Sequence, residues 1–317
     1  MDQTITAPGS LADPGAPGSG PAAASGQPAG LGLPGILRWL RRIAGVVPFA
    51  GYVTLGLLLP MVAVAVGAFQ SDSGGFTFSN VKAATRGIYL HGFWQSIILS
   101  VFTSILPAIF GLLIAFAIFT AKRGNVLRQV TITASGVFAN FGGVPLAFLF
   151  IASAGSTGLI THWLSNIGLN IYSWGFSLYS LSGVIVVYFY FQVPLMVLII
   201  LPALEGLRPA WREAAENMGA RTWQYWRYVG GPVLLPSFMG CVLLLFGSAL
   251  SAYATTEALT NGTIPLTAIQ IGSFLNGNVI AGQENIGKAL GLGMVVIIAI
   301  AMTLYVMMQR RAAKWLR

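Results

Sequence analysis

The heptapeptide Glu213-Ala214-Ala215-Glu216-Asn217-Met218-Gly219 (EAAENMG) lies in a polar segment between two strongly apolar ones. Pro209 can occupy the first turn of a short helix, where its missing N–H is not needed, and Gly219 can end that helix in a left-handed conformation. Apolar side chains recur there at i, i+3, i+4 and i+7 and share one face: Trp211, Ala214, Ala215 and Met218. Thr222 can cap a second short helix that runs to about Arg227. The sequence therefore predicts a small helix-turn-helix projection.

The composition around this projection is typical of a membrane protein. Of 317 residues, 56% are hydrophobic and only 8% are charged, and the mean hydropathy is +0.77. A soluble domain would carry about a quarter charged residues. Since a membrane-spanning helix takes about 20 apolar residues, the chain is predicted to be an all-α integral membrane protein with six transmembrane helices. They lie near 46–69, 93–119, 130–154, 179–203, 234–256 and 289–309.

The basic residues between these spans predict the orientation, because Lys and Arg are retained on the cytoplasmic side. Fourteen of the 17 lie at the N-terminal flank, in the 120–129 loop, in the 204–233 loop or at the C-terminus, and only Lys82, Arg86 and Lys288 lie in the opposite loops. Both termini and the 204–233 loop are thus expected in the cytoplasm. The net charge of +9 is mainly a topology signal, so no nucleic-acid partner is inferred.

Residues 1–35 hold six prolines and eight glycines and almost no large apolar side chain. Such a segment cannot bury enough surface to offset its ordering entropy. We expect a disordered cytoplasmic tail at 1–35 and a transmembrane domain over 36–317.

The motifs that could carry chemistry are incomplete in this sequence. Gly282 to Ala289 approaches a phosphate-binding loop, but Ala289 stands where a hydroxyl would bind magnesium, and the loop is predicted outside the cell. His91 and His162 have no Cys or second His at ligand spacing, so no metal or cofactor is predicted. No nucleophile, acid or metal cluster indicates an enzyme within the membrane. The six spans also lack Asp, Glu, Lys, Arg and His, which disfavours an ion-coupled secondary transporter.

The EAAENMG segment resembles the EAA loop of permease subunits in type I binding-protein-dependent ABC importers. That motif reads E-A-A, three residues, G, nine residues, I-x-L-P. Val229 takes the Ile position and Pro232 the Pro position, but Gly231 stands where Leu is usual. The resemblance covers roughly residues 90–310. It implies that the first helix of the loop is a coupling helix that seats in a cleft of a cytoplasmic ATPase subunit, with Glu213 and the turn at Gly219 at the interface.

The resemblance also implies the partners. Two ABC ATPase subunits would hydrolyse the ATP. A second permease subunit, either a paralogue or a copy of this chain, would form the other half of the path. An extracytoplasmic solute-binding protein would deliver the solute. The location would be a bacterial or archaeal plasma membrane. The chain itself would not be an enzyme.

Polar residues inside the spans are candidates for the solute path. A primary amide in hydrocarbon is costly unless it meets a partner or water, so Asn140 and Gln192 are expected to face the bundle interior with Tyr188 or Ser251 close by. Further candidates are Tyr190, Ser248, Tyr253 and Glu257.

The solute is suggested by the end of the fifth span. Tyr253 to Leu259, followed by Asn261-Gly262 and Ile269-Gln270-Ile271, looks like the polyamine, opine and phosphonate branch of these permeases. That branch implies a small charged solute, with spermidine or putrescine as first choice. Phosphonate, ferric iron, thiamine and sugar stay open as alternatives.

Overall fold

The computed structural model of the protein describes residues 47–71, 73–121, 126–277 and 283–315. The predicted tail at 1–35 lies outside them. The chain divides into two compact units, Met1–Leu57 and Leu58–Arg317. The first is described only from Val47, where it is helical and mostly exposed.

The second unit consists of helices joined by short loops. Three stretches of the described chain depart from regular α-helix: residues Thr54–Leu58 and Trp226–Gly230 form π turns, and residues Ile171–Trp174 form a 3₁₀ turn. The α-helices are α1 (Leu59–Ala68), α2 (Ser79–Ala84), α3 (Gly87–Thr120), α4 (Val126–Asn140), α5 (Gly143–Ala154), α6 (Leu159–Asn166), α7 (Leu181–Glu205), α8 (Pro209–Asn217), α9 (Thr222–Tyr225), α10 (Gly231–Ser251), α11 (Ala254–Thr260), α12 (Thr267–Leu275) and α13 (Glu284–Trp315).

Six helical stretches of the described chain are long and apolar enough to cross a membrane, which confirms the predicted fold class. Each has at least 18 residues in which apolar side chains dominate. They are Val47–Ala68, Gly87–Thr120, Gly143–Asn166, Leu181–Glu205, Thr222–Ser251 and Glu284–Arg310.

The third span differs from the prediction of one helix over 130–154. The structure interrupts it between α4 and α5, where Gly142 is extended and Gly143 has a φ of +72°. A left-handed φ suits glycine because it has no Cβ. The chain therefore changes direction at Gly142-Gly143 instead of continuing as a helix.

The centre of the bundle is the contact between α3 and α7. Small residues on α3 allow a close approach: a Cβ at Gly111 would lie 2.5 Å from Cβ of Met196 and 3.0 Å from the carbonyl oxygen of Val193. Helices α10 and α4 pack against this pair. One cluster of buried apolar residues includes Ala108, Met196, Leu204, Leu245 and Cys241. The lone cysteine is therefore a packing residue.

Candidate functional site

The 204–233 loop folds as a projection whose first helix is α8. Pro209 is its first residue, and the N-cap residue Arg208 is extended, with φ −70° and ψ 126°. At the other end Gly219 adopts a φ of +79°. Its N–H donates to the carbonyl of Glu216 at 2.9 Å, and the N–H of Ala220 donates to the carbonyl of Ala215 at 2.9 Å. This pair of bonds is a Schellman motif, which satisfies carbonyls that a helix end leaves free.

The predicted apolar face of α8 is divided between the protein and the outside. Ala215 is 5% exposed and attaches the helix to the rest of the loop. Trp211, Ala214 and Met218 are exposed, Met218 by 81%. Glu213 is also exposed, and the described residues offer it no ion pair. An amphipathic helix with its larger apolar side chains uncovered is suited to docking against another protein.

The second half of the loop differs from the prediction in one detail. The N-cap of α9 is Arg221, not Thr222, and the Arg221 N–H donates to Oε1 of Gln224 at 2.7 Å. Helix α9 then continues through the π turn into α10, so that Thr222–Ser251 is one uninterrupted helical rod. The ring of Trp226 contacts Phe116 of α3 edge to face, with centroids 5.1 Å apart. The projection is therefore fixed directly to the bundle.

The predicted path residues Tyr188 and Gln192 lie one helical turn apart on α7, and both are fully buried. The Tyr188 hydroxyl donates to the carbonyl of Ala252 at 3.0 Å, at the point where α10 ends. Both polar atoms of the Gln192 amide are buried and have no hydrogen-bond partner among the described residues. Buried polar atoms without partners are rare in folded proteins, so Gln192 is the most unusual side chain in the bundle.

Asn140 differs from its prediction. It is the last residue of α4 and is exposed on the surface of the single chain, where its amide donates to the carbonyl of Gly136 at 2.9 Å. It borders the interruption of the third span. There the N–H of Gly143 donates to Oγ1 of Thr255 at 2.9 Å. Sequence analysis missed Thr255, although the adjacent glycines of a predicted span were a signal for a broken helix.

The predicted fifth span, 234–256, ends earlier than expected: α10 ends at Ser251, and α11 begins at Ala254 as a separate helix. Ser251 is exposed and donates back to the carbonyl of Gly247 at 2.9 Å. With Tyr253 it lines a surface cavity of about 340 Å³ bounded by α12 and Met294. Glu257 on α11 is partly buried, and its Oε2 has no hydrogen-bond partner in the described part of the chain. The break between α4 and α5 thus meets α11 through the Gly143–Thr255 hydrogen bond, beside Tyr188.

In the segment from Gly282 to Ala289, which resembles a phosphate-binding loop, the lysine contacts other parts of the protein. Gly282 lies outside the described residues, whereas Glu284 already begins α13. The Lys288 ammonium donates to Oδ1 of Asn285 at 2.9 Å, and its stem lies against Gly67 of α1. Within the ranges the structure describes, no group of three His, Cys, Asp or Glu side chains is placed to hold a metal.

Residues 83–317 match a protein family described as "Binding-protein-dependent transport system inner membrane component". Among curated relatives, the Escherichia coli thiamine transport system permease protein is 27% identical over 223 residues, which are 68% of this chain and 40% of the relative. The E. coli sulfate transport system permease protein is 29% identical over 210 residues, 64% of this chain and 69% of the relative. A putative ferric transport system permease of Haemophilus influenzae is 24% identical over 241 residues, covering 74% of this chain and 37% of that protein. The chain thus spans about 40% of the length of the thiamine permease.

Solved structures share the fold. A bacterial ABC transporter involved in alginate import matches with a TM-score of 0.70 and 20% identity, over 87% of this chain and 97% of the other. The MetNI methionine ABC transporter matches with a TM-score of 0.52 and 15% identity, over 72% and 97%. At these identities the likeness concerns the fold alone.

Proposed function

Because the chain belongs to the family of binding-protein-dependent transport system inner membrane components, we propose that it is the permease subunit of an ATP-driven importer in a bacterial or archaeal plasma membrane. It forms half of an alternating-access path, and a second permease subunit, of the same or a related chain, forms the other half. Both termini are cytoplasmic. An extracytoplasmic binding protein delivers the solute, and two separate ATPase subunits hydrolyse the ATP.

The observation that carries this proposal is the geometry of the 204–233 loop. Helix α8 leaves Met218 81% and Trp211 37% exposed, and it is closed by the left-handed turn at Gly219. Its neighbour α9 is continuous with a membrane span. In our proposal α8 seats in a cleft of the ATPase through this apolar face and Glu213, and the rod transmits the movement of the ATPase into the membrane.

The proposed path runs where the break between α4 and α5 meets the loop that follows α10. Helices that break within a membrane expose backbone groups that need a polar cavity or a protein partner. Near this point lie Tyr188, Gln192, Ser251 and Tyr253 from the predicted set, with Asn140 and Glu257 at its edges. The unpartnered amide of Gln192 is the group best suited to bind solute when the two halves rearrange.

The proposed solute is a small charged molecule. Spermidine or putrescine was the choice from the sequence, but the relatives described above are named for thiamine, sulfate and ferric iron and give no support to a polyamine. Thiamine, ferric iron and sulfate are therefore equally supported as candidate solutes. Phosphonate and sugar also stay open.

Reconstitution tests the proposal. The full-length chain, co-expressed with neighbouring ATPase, permease and binding-protein genes, is placed in vesicles without an ion gradient, and uptake of labelled thiamine, sulfate, ferric iron and spermidine is measured. We expect uptake of one of these solutes. This uptake should require ATP on the side of the membrane that carries α8 and the binding protein on the opposite side. Uptake driven by a proton or sodium gradient without ATP would instead identify an ion-coupled secondary transporter.

A further inference from the structure

Three arginines line a cavity of about 270 Å³ between the 204–233 loop and the ends of α3 and α7. They are Arg128, Arg208 and Arg212, and Glu205 is the only carboxylate among the described residues that line the cavity. We call this cavity the arginine pocket. Its remaining walls are largely apolar or aromatic, with Phe119, Leu207, Pro209, Tyr225 and Trp226.

The charges of the arginine pocket are only partly balanced. Arg128 pairs with Glu205, and Nε of Arg212 pairs with Oε1 of Glu216 at 2.8 Å on the exposed side of α8. Arg208 stacks over the ring of Trp211 at 5.9 Å and forms no ion pair with any described carboxylate. One positive charge therefore remains uncompensated.

Arg128 adds a second indication of a missing ligand. Its Nε is buried and has no hydrogen-bond acceptor in the described part of the chain. A guanidinium presents several N–H groups in a fixed plane, which matches the oxygens of a phosphate. An anion with several acceptor oxygens would satisfy Nε and also meet the charge of Arg208.

An apolar groove continues from the arginine pocket along the bundle. Trp226 lines both, and the groove, of about 340 Å³, follows α3, α7 and α10. Its walls comprise Leu112, Leu113, Phe116, Leu204, Leu234, Leu235 and Phe238. Leu113 and Leu235 are 60% and 50% exposed, so the groove is open on the outer surface of the chain.

Gly231 lines the groove at the position where the EAA motif usually has Leu. A Cβ there would lie 2.5 Å from the carbonyl oxygen of Trp226, because the π turn brings that oxygen close. The local backbone therefore leaves no room for a side chain at this position.

We propose that the arginine pocket and this groove together bind one anionic phospholipid, with its headgroup phosphate among Arg128, Arg208 and Arg212 and an acyl chain along α3 and α10. The pocket lies at the ends of α3 and α7, where two membrane-spanning helices end and a headgroup layer would begin, and the groove lies along the apolar spans. Basic pockets beside transmembrane helices recognise lipid phosphates in this way. The bound lipid would connect the base of α8 to the membrane.

Native mass spectrometry of the full-length chain in detergent tests the site with two lipids of identical acyl chains, dioleoylphosphatidylglycerol and dioleoylphosphatidylcholine. We expect the phosphatidylglycerol to bind about five-fold or more tightly, and Arg208→Gln to remove about five-fold of its affinity, as is typical of one basic residue near a lipid headgroup. Arg227→Gln is the matched control, since Arg227 stacks on Trp223 at 5.2 Å and does not line the pocket. Equal losses in the two variants would overturn the site.

The groove and the identity of the anion have their own controls. Leu235→Trp should fill the groove and weaken both lipids, whereas Leu244→Trp, on the same helix but outside the groove, should not. Equal effects of these two variants would overturn the acyl-chain assignment. Inorganic phosphate at the concentration of the lipid should not displace phosphatidylglycerol, and displacement would identify a site for a free anion instead. If Arg208→Gln unfolds at a lower temperature, Arg208→Lys keeps the charge and must bind phosphatidylglycerol more tightly than Arg208→Gln does.

Discussion

At the scale of single residues, the conformation of Gly219 could be predicted from the sequence, whereas the environment of Gln192 could not. The Gly219 turn follows from the sequence, because a glycine after an amphipathic segment is the usual end of a helix, and the structure places it at φ +79°. The unpartnered amide of Gln192 could not be predicted, because whether a side chain finds a partner depends on the neighbouring helices. Sequence alone identified it only as a polar group at an apolar depth.

Gly219→Val should loosen the base of α8. A β-branched residue in the left-handed region costs about 1–2 kcal/mol, so the Schellman bonds should weaken and the ATPase should no longer co-purify. Gly219→Asn is the control, since Asn tolerates this conformation and Asn261 of this chain has a φ of +49°. Normal co-purification and transport by Gly219→Val would contradict the role of the turn.

Gln192→Leu should leave the protein at least as stable and impair transport. The leucine removes a buried amide whose lack of partners costs about 1–3 kcal/mol, so the unfolding temperature in detergent should not fall. Loss of one or two hydrogen bonds to the solute should lower apparent affinity roughly tenfold. Met196→Leu, one turn further along the same face, is the control. Unchanged solute affinity in Gln192→Leu would mean that the amide does not reach the path.

At the scale of helices, the interruption of the third span is where structure and sequence differ most. The run from 130 to 154 is apolar enough to form one helix. Gly142-Gly143 lowers its helix propensity, but two glycines alone do not show that the helix is broken. At the break, the N–H of Gly143 donates a hydrogen bond to Thr255, which is 112 residues away in the sequence. A contact so distant in sequence leaves no periodic pattern, so hydropathy cannot reveal it.

Thr255→Val should destabilise this junction. The substitution nearly preserves the volume but leaves the Gly143 N–H without its acceptor, which should cost about 1–3 kcal/mol. Thr260→Val is the matched control on the same helix, because the Thr260 hydroxyl only donates to the carbonyl of Thr256 within α11. Thermal unfolding in detergent compares them, and equal shifts for both variants would argue against the Gly143–Thr255 bond.

At the scale of the whole molecule, the helical fold and the number of spans were predictable because a bilayer offers the backbone no hydrogen bonds, so long apolar runs must be helical. The orientation rests on the distribution of Lys and Arg and stays a prediction. Its test is a single cysteine in a Cys241→Ala background, placed at Met218 or at Phe76, which are 81% and 75% exposed. A membrane-impermeant thiol reagent should label position 218 only from the cytoplasm and position 76 only from outside. The reverse pattern would invert the topology.

The unbroken rod Thr222–Ser251 has 30 residues and is therefore about 45 Å long, at about 1.5 Å per residue. One end lies beside α8, and the other ends at Ala252, whose carbonyl receives the Tyr188 hydroxyl. Such a rod acts as a lever: a tilt of about 5° about its base displaces the far end by roughly 4 Å, more than the length of a hydrogen bond. A small rotation of the projection is thus sufficient to separate Tyr188 from Ala252 deep in the bundle, without any helix having to unwind.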